Sequence, residues 1–517
     1  MVALALTTSL SGMEASLVYV EVECSRGPGQ FDLVGLAEAG VKESRVRVRS
    51  ALAQLAVALD EQRIVVNLAP GDVRKSGASF DLAIAAATLA ALGVTATPTL
   101  AETALLGELS LEGALRPVRG VLPQLLHLRD KGVRRAVVPA ENGPEAAVVS
   151  GIATHVASHL SEVLDWLEGK AELRRAERAP ARPPAPAADL ADVRGQYSAR
   201  RALEVAAAGH HHLLMMGPPG GGKTMLARRL PGILPPFEED EALATSAVHS
   251  IAGLLPRDSG LLAERPFRAP HHTITDAGMV GGGFPPRPGE ISLSHHGVLF
   301  LDELAEFRRS TLETLRQPLE DGMLVLSRAR SSSQFPTRPL LVAASNPCPC
   351  GYHGDGSGRC GCSPDYVRRY LARLSGPLLD RIDLHISLPP VAVSELSVRG
   401  SGEASAEVRA RVVLARQRQQ RRKTEGTVSA SNNGSLTPKD VEAVAIPDKE
   451  GQRMLEAAAS RAQLSARAFG KILRIARTLA DLAGDESVRS PHVAEAMQFR
   501  LLDRQARPGQ GNAGARV

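Results

Sequence analysis

Aromatic side chains are scarce: the 517 residues include one Trp, five Tyr and ten Phe, 3% of the chain. Any core must be built largely of Ala, Leu and Val, and flat rings on which nucleobases could stack are few. Long apolar runs are missing as well. The longest, Leu82–Gly93 (LAIAAATLAALG), is too short and too Ala-rich to cross a bilayer. The opening MVALALTTSLSGMEA has no basic segment before its apolar stretch and does not read as a secretory signal. The expectation is a cytoplasmic protein without a membrane partner.

Hydrophobic residues make up 44% and charged residues 23%, enough for a soluble chain with a buried core. The length suits about two to four domains. Net charge is only +5, from 61 basic and 56 acidic residues, but it is unevenly placed. Arg409, Arg411, Arg416, Arg418, Arg421, Arg422 and Lys423 fall in one stretch without an acidic residue. Such a block can meet phosphates or form a solvated helix face. The pattern predicts an α/β domain over 1–168 and a Pro/Ala linker over 169–188. A second α/β domain over 189–395, a basic helix with a polar linker over 396–434, a helical domain over 435–505 and a disordered tail over 506–517 follow.

The sharpest signal is Gly217-Pro218-Pro219-Gly220-Gly221-Gly222-Lys223-Thr224, between the apolar run LLMM and the helical run MLARRL. A strand, a glycine-rich loop and a helix in this order form a phosphate cradle. Backbone N–H groups and the helix N-terminus attract phosphate oxygens. Lys223 is expected to reach the β- and γ-phosphates of ATP, and Thr224 to ligate Mg²⁺. Downstream, Val298–Leu301 reads as a buried strand ending in Asp302 and Glu303. Asp302 would hold Mg²⁺ through water, and Glu303 would polarise the attacking water. A third apolar run, Leu340–Ser345, ends in Asn346, which is placed to orient water or sense the γ-phosphate. Arg381 follows in SGPLLDRID. It reads either as a local salt bridge with Asp380 or Asp383, or as an arginine finger reaching a neighbouring subunit's γ-phosphate.

These residues resemble the AAA+ ATPases, specifically the magnesium-chelatase-like YifB/ComM family. The resemblance extends through FDLVGLAEAGVKESR (31–45), NLAPGD (67–72), FRAPHHT (267–273), PGEISL (288–293) and NPCPCG (346–351). It implies a Lon-protease-like N-terminal α/β domain, an AAA+ α/β/α core and a C-terminal helical lid. It also implies a homohexameric DNA helicase that promotes branch migration in recombination and natural transformation. A lid arginine should sense the nucleotide: Arg467 is the first candidate, with Arg474 and Arg477 nearby. The hairpin before the sensor strand would carry Arg328 and Arg330 to DNA phosphates, and Phe267–Gly283 offers a second insertion. Rival loads are a metal chelatase or a protein substrate.

Near the N-terminus, Lys75-Ser-Gly-Ala-Ser79 is similar to the nucleophile stretch of Lon, with Ser79 at the nucleophile's position. The position of Lon's base lysine falls on Leu122. A serine without a base stays a poor nucleophile, so a non-proteolytic domain is expected. Peptide hydrolysis that disappears in Ser79→Ala would overturn this.

Four of the five cysteines form two Cys-x-Cys pairs, Cys348/Cys350 and Cys360/Cys362, nine residues apart. In a cytoplasmic chain this crowding favours metal over disulfides, with structural Zn²⁺ the expected ion and His353 a spare ligand.

Overall fold

The computed structural model describes residues 2–500 except 37, 76, 96–97, 181–187, 284, 329–330, 375 and 391–401. Arg330, the centre of the Pro/Ala linker and the tail 506–517 therefore lie outside the described residues, as does the side chain of Arg328.

The N-terminal sheet has eight strands in the spatial order Arg174–Arg175, Ala153–Ala157, Arg135–Pro139, Thr103–Leu105, Val2–Ser11, Glu14–Arg26, Gln62–Ala69 and Gln30–Val34. Alternation sets its faces: Val18, Val20 and Val22 of one strand all point into the core. Helix Asp81–Ala91 (DLAIAAATLAA) is buried along its whole length. Its alanines allow the close approach that a core poor in aromatics requires. The buried Asp81 carboxylate accepts from Arg47 Nε at 2.6 Å and from the Leu109 N–H at 3.1 Å.

The second sheet is wholly parallel. Its five strands run Phe267–Arg268, Val298–Leu301, Leu340–Ser345, Leu213–Met216 and Leu384–Ser387. The three central strands read as continuous apolar runs because both faces are covered. Leu213, Met215, Phe300 and Val342 pack on one side with helix Tyr197–Gly209 and the lid. Leu214, Leu299, Leu301 and Leu341 pack on the other against short helices that include Arg309–Thr314. The strand that enters the glycine-rich loop lies between Leu340–Ser345 and Leu384–Ser387. In such sheets ligands bind beyond the carboxyl ends of the strands.

The basic helix, Ser405–Thr424, buries Val408, Val412 and Ala415 in the same core cluster as helix Tyr197–Gly209. Much of its charge is used inside the molecule. Arg411 pairs with Glu204 and Glu403, Arg418 donates to the Asp481 carbonyl, Arg421 pairs with Glu425, and Arg422 is bidentate to Asp481. Four of the block's seven charges, Arg411, Arg418, Arg421 and Arg422, thus have partners within the chain, while Arg409 and Lys423 are exposed.

The lid comprises Pro438–Val444, Lys449–Ala462, Ala466–Ala483 and Ser490–Gln498. A buried knot fastens it to the ATPase sheet. Lys471 Nζ lies 3.1 Å from Asp383 and donates to the Ile382 carbonyl, while His211 bridges Asp383 and Thr478. Burial opposes the charge on Asp383, but Lys471 and His211 outweigh it and hold the carboxyl far below its ordinary range.

The N-terminal domain docks directly on the domain of the parallel sheet. Ser250 Oγ donates to Glu145 at 2.6 Å, and the Gly120 N–H reaches the Ser250 carbonyl at 3.2 Å. The hairpin Met323–Arg328/Ser331–Pro336 rests against the turn after Val2–Ser11, where a Cβ on Gly12 would come within 2.7 Å of Ser333 Cβ. At the Lon-like position, half-buried Ser79 precedes the cap of helix Asp81–Ala91. It lines a cleft of about 650 Å³ with Glu108, Arg119 and Gln124, and Pro285 and Arg287 of the ATPase also line it. Among the described residues lining the cleft none is a lysine. Leu122 is fully buried, and Lys75, equally buried, donates to the Pro70 carbonyl.

A candidate nucleotide site

The loop Gly217–Gly222 joins the strand Leu213–Met216 to the helix Lys223–Ile233. Its shape depends on two glycines. A Cβ on Gly217 would lie 2.7 Å from the Leu388 carbonyl oxygen, and Gly222 caps the helix at φ 85°. Pro218 and Gly221 are buried, whereas Pro219 and Gly220 form the exposed crest.

Lys223 is buried and its ammonium bridges the site. Nζ donates to the Gly217 carbonyl at 2.7 Å, the Pro218 carbonyl at 3.0 Å and Asn346 Oδ1 at 3.0 Å. Burial lowers its pKa, opposed by the nearby carboxylates of Asp302 and Glu303. The Thr224 hydroxyl donates to Asp302 Oδ2 at 2.6 Å, so the two oxygens expected around Mg²⁺ already stand together. Few protein oxygens suffice, because Mg²⁺ keeps several waters and is completed by phosphates.

Glu303 lies in the left-handed backbone region at φ 52°, an uncommon conformation for a residue with a side chain. It directs a carboxylate that is about half exposed toward His272, whose Nδ1 is 3.3 Å away. His272 follows the edge strand Phe267–Arg268 and stacks near His271, with ring centroids 4.1 Å apart. Phe267–Gly283, read from sequence as a pore insertion, therefore supplies the sheet's edge strand and a group beside Glu303. Sequence reasoning did not find this partnership; the dipeptide His271-His272 was its only signal. Gln196 was also overlooked. It donates to the Gly221 carbonyl at 3.3 Å and the Pro389 carbonyl at 2.8 Å, holding the far side of the loop.

Lys223, Thr224, Asp302, Glu303 and Asn346 thus converge at the carboxyl ends of neighbouring strands. The arginines do not join them within one chain. Among the described residues Arg381 pairs with Glu320, not with Asp380 or Asp383, and its Nε has no hydrogen-bond partner there. Arg467 is exposed on the first turn of helix Ala466–Ala483. Arg474 donates to the Leu436 carbonyl at 2.8 Å. Arg477, 1% exposed, bonds Asp481 and the Asp485 and Glu486 carbonyls, so it is part of the lid's frame.

Cys348, Cys350, Cys360 and Cys362 come together beside the site, their sulfurs all within 4.8 Å of one another, a group that can hold a metal ion.

Residues 189–396 match the family model "Magnesium chelatase, subunit ChlI", residues 20–142 match "Subunit ChlI of Mg-chelatase", and residues 402–500 match "Magnesium chelatase, subunit ChlI C-terminal". The chain is 42% identical to competence protein ComM of Haemophilus influenzae, over 95% of this chain and 96% of that protein. It is 41% identical to protein YifB of Escherichia coli, over 96% of this chain and 97% of that protein. A shorter stretch, 29% of this chain, is 29% identical to Lon protease 2 of Thermus thermophilus and covers 20% of it. The near-complete coverage, the parallel sheet and the nucleotide loop agree: the chain belongs to the YifB/ComM family of magnesium-chelatase-like AAA+ ATPases.

Proposed function

We propose that this chain is a ring-forming, ATP-driven motor that acts on DNA in the cytoplasm, as a helicase promoting branch migration during recombination and natural transformation. The observation that carries this reading is similarity over nearly the whole length to a competence protein, including the N-terminal domain and the cysteine segment. The chemistry follows from the site. Lys223 leaves the Gly217 and Pro218 carbonyls to meet the β- and γ-phosphates. Thr224 and Asp302 hold Mg²⁺, which when bound neutralises charge on the phosphates. Glu303 turns from His272 to polarise the attacking water, and Asn346 orients it. Arg381 exchanges Glu320 for the γ-phosphate held by the neighbouring subunit, and Arg467 contributes from the lid. This division of the site between subunits calls for a ring, taken here as a homohexamer.

The load is gripped by the segment 323–336, where Arg328 and Arg330 in the sequence suit backbone phosphates, contacts that read no base sequence. The scarcity of aromatics agrees with a grip on charge in preference to stacked bases. A second reading, a chelatase motor subunit, is favoured by the names of all three matching family models. ATP turnover and strand displacement on forked and four-way DNA separate the two. DNA is expected to raise turnover severalfold and to be unwound. Turnover indifferent to every DNA form would sink the helicase reading and favour the chelatase or a protein substrate.

A further inference from the structure

The segment from Asn346 to Ser363 contains no helix or strand, and much of it is exposed. A loop of this length in a compact domain needs something to hold it. Its one fully buried side chain is Cys348, and around it the four thiols converge. Cys348 Sγ lies 3.3 Å from Cys350 Sγ and 3.9 Å from Cys360 Sγ, and Cys350 lies 3.6 Å from Cys360. All four are free thiols. A tetrahedral zinc with Zn–S bonds of about 2.3 Å places its sulfurs roughly 3.8 Å apart, close to these separations. His353 stands beside the cluster, its Nδ1 3.9 Å from Cys360 Sγ, as an outer neighbour to a shell that four sulfurs complete.

The cluster is wired to the nucleotide loop at two points. Asn346, which accepts from Lys223, lies two residues before Cys348. Gly351, directly after Cys350, has φ +87° and packs so closely on the loop's crest that a Cβ would lie 2.4 Å from Pro219 Cδ. The exposed crest thus leans on the turn that the cysteines tie.

We propose that the four cysteines bind one zinc ion and that this zinc knot fixes the crest of the phosphate-binding loop, so that nucleotide affinity depends on metal occupancy. The inference rests on the nucleotide site alone and is independent of the load the motor drives. Metal binding contributes folding energy to a segment with little core of its own.

The test uses the full chain purified without chelators. Elemental analysis should find about one zinc per chain. Stripping the metal with a mercurial and a chelator should weaken binding of a fluorescent ADP analogue roughly tenfold through lost preorganisation, and added zinc should restore it. Cys360→Ser with Cys362→Ser should lose zinc and affinity together, whereas Cys362→His should keep both. Gly351→Ala should keep zinc but weaken the nucleotide, separating the contact from the metal. Metal-free protein, or iron in place of zinc, would overturn the assignment. Zinc-loaded protein whose affinity is unmoved by stripping and by Gly351→Ala would overturn the coupling.

Discussion

Alanine at position 223 is expected to abolish ATP turnover, lowering kcat by at least about a thousandfold and weakening nucleotide binding as well. Lys223 has two tasks. Before nucleotide arrives, its ammonium ties together the Gly217 and Pro218 carbonyls and Asn346, so it helps shape the cradle. On the proposed reading, it becomes the buried cation beside the phosphates once they arrive. Truncation removes both the charge and the tie, and the carbonyls it served are left facing one another. Phosphate release and binding of a fluorescent ADP analogue are the two measurements. Turnover within tenfold of the native protein would mean that the loop is not the catalytic cradle.

Glu303→Gln should separate what Lys223→Ala removes together. The amide keeps the size of the carboxylate, and the Thr224–Asp302 pair proposed to hold Mg²⁺ is untouched. ATP should therefore still bind, while hydrolysis falls by a factor of about a hundred to a thousand for want of a group that polarises water. The left-handed backbone at Glu303 strengthens the expectation, since strain is maintained where a side chain must point in one direction. The informative readout is bound, unhydrolysed ATP retained on the protein after gel filtration. Loss of binding equal to that of Lys223→Ala would assign Glu303 to nucleotide capture instead of chemistry.

The parts of the site that lie within single strand-to-loop junctions were legible in the sequence. LLMM before Gly217, VLFL before Asp302 and LLVAAS before Asn346 each announce a buried strand, and each polar residue sits at its end. Chemistry assembled across the fold was not legible. His272 reaches Glu303 only because Phe267–Arg268 pairs with Val298–Leu301. Gln196 reaches Gly221 only because Tyr197–Gly209 packs beside the loop. The basic helix shows the same limit: its partners Glu204, Glu403 and Asp481 are distant or uninformative in sequence, so its charges counted as free when they are mostly paired. The hairpin read over Gly322–Pro336 has its strands at Met323–Arg328 and Ser331–Pro336, but its contact with Gly12 was invisible from either segment.

The strand Val2–Ser11 was hard to see in sequence, because its Ala, Leu and Ser residues carry little β signal. Yet it lies inside the sheet, bonded along its length to Glu14–Arg26 on one side and meeting Thr103–Leu105 on the other, with Leu6 opposite Ala104. Synthesis runs from the N-terminus, so this strand emerges well before Thr103–Leu105 and waits for its second neighbour until residue 105 has left the ribosome. Until then the nascent chain holds only the half-sheet that Val2–Ser11 forms with the strands after it, open along the edge that Thr103–Leu105 will close. The order of emergence therefore makes this sheet a unit that closes late, with Val2–Ser11 as the seam.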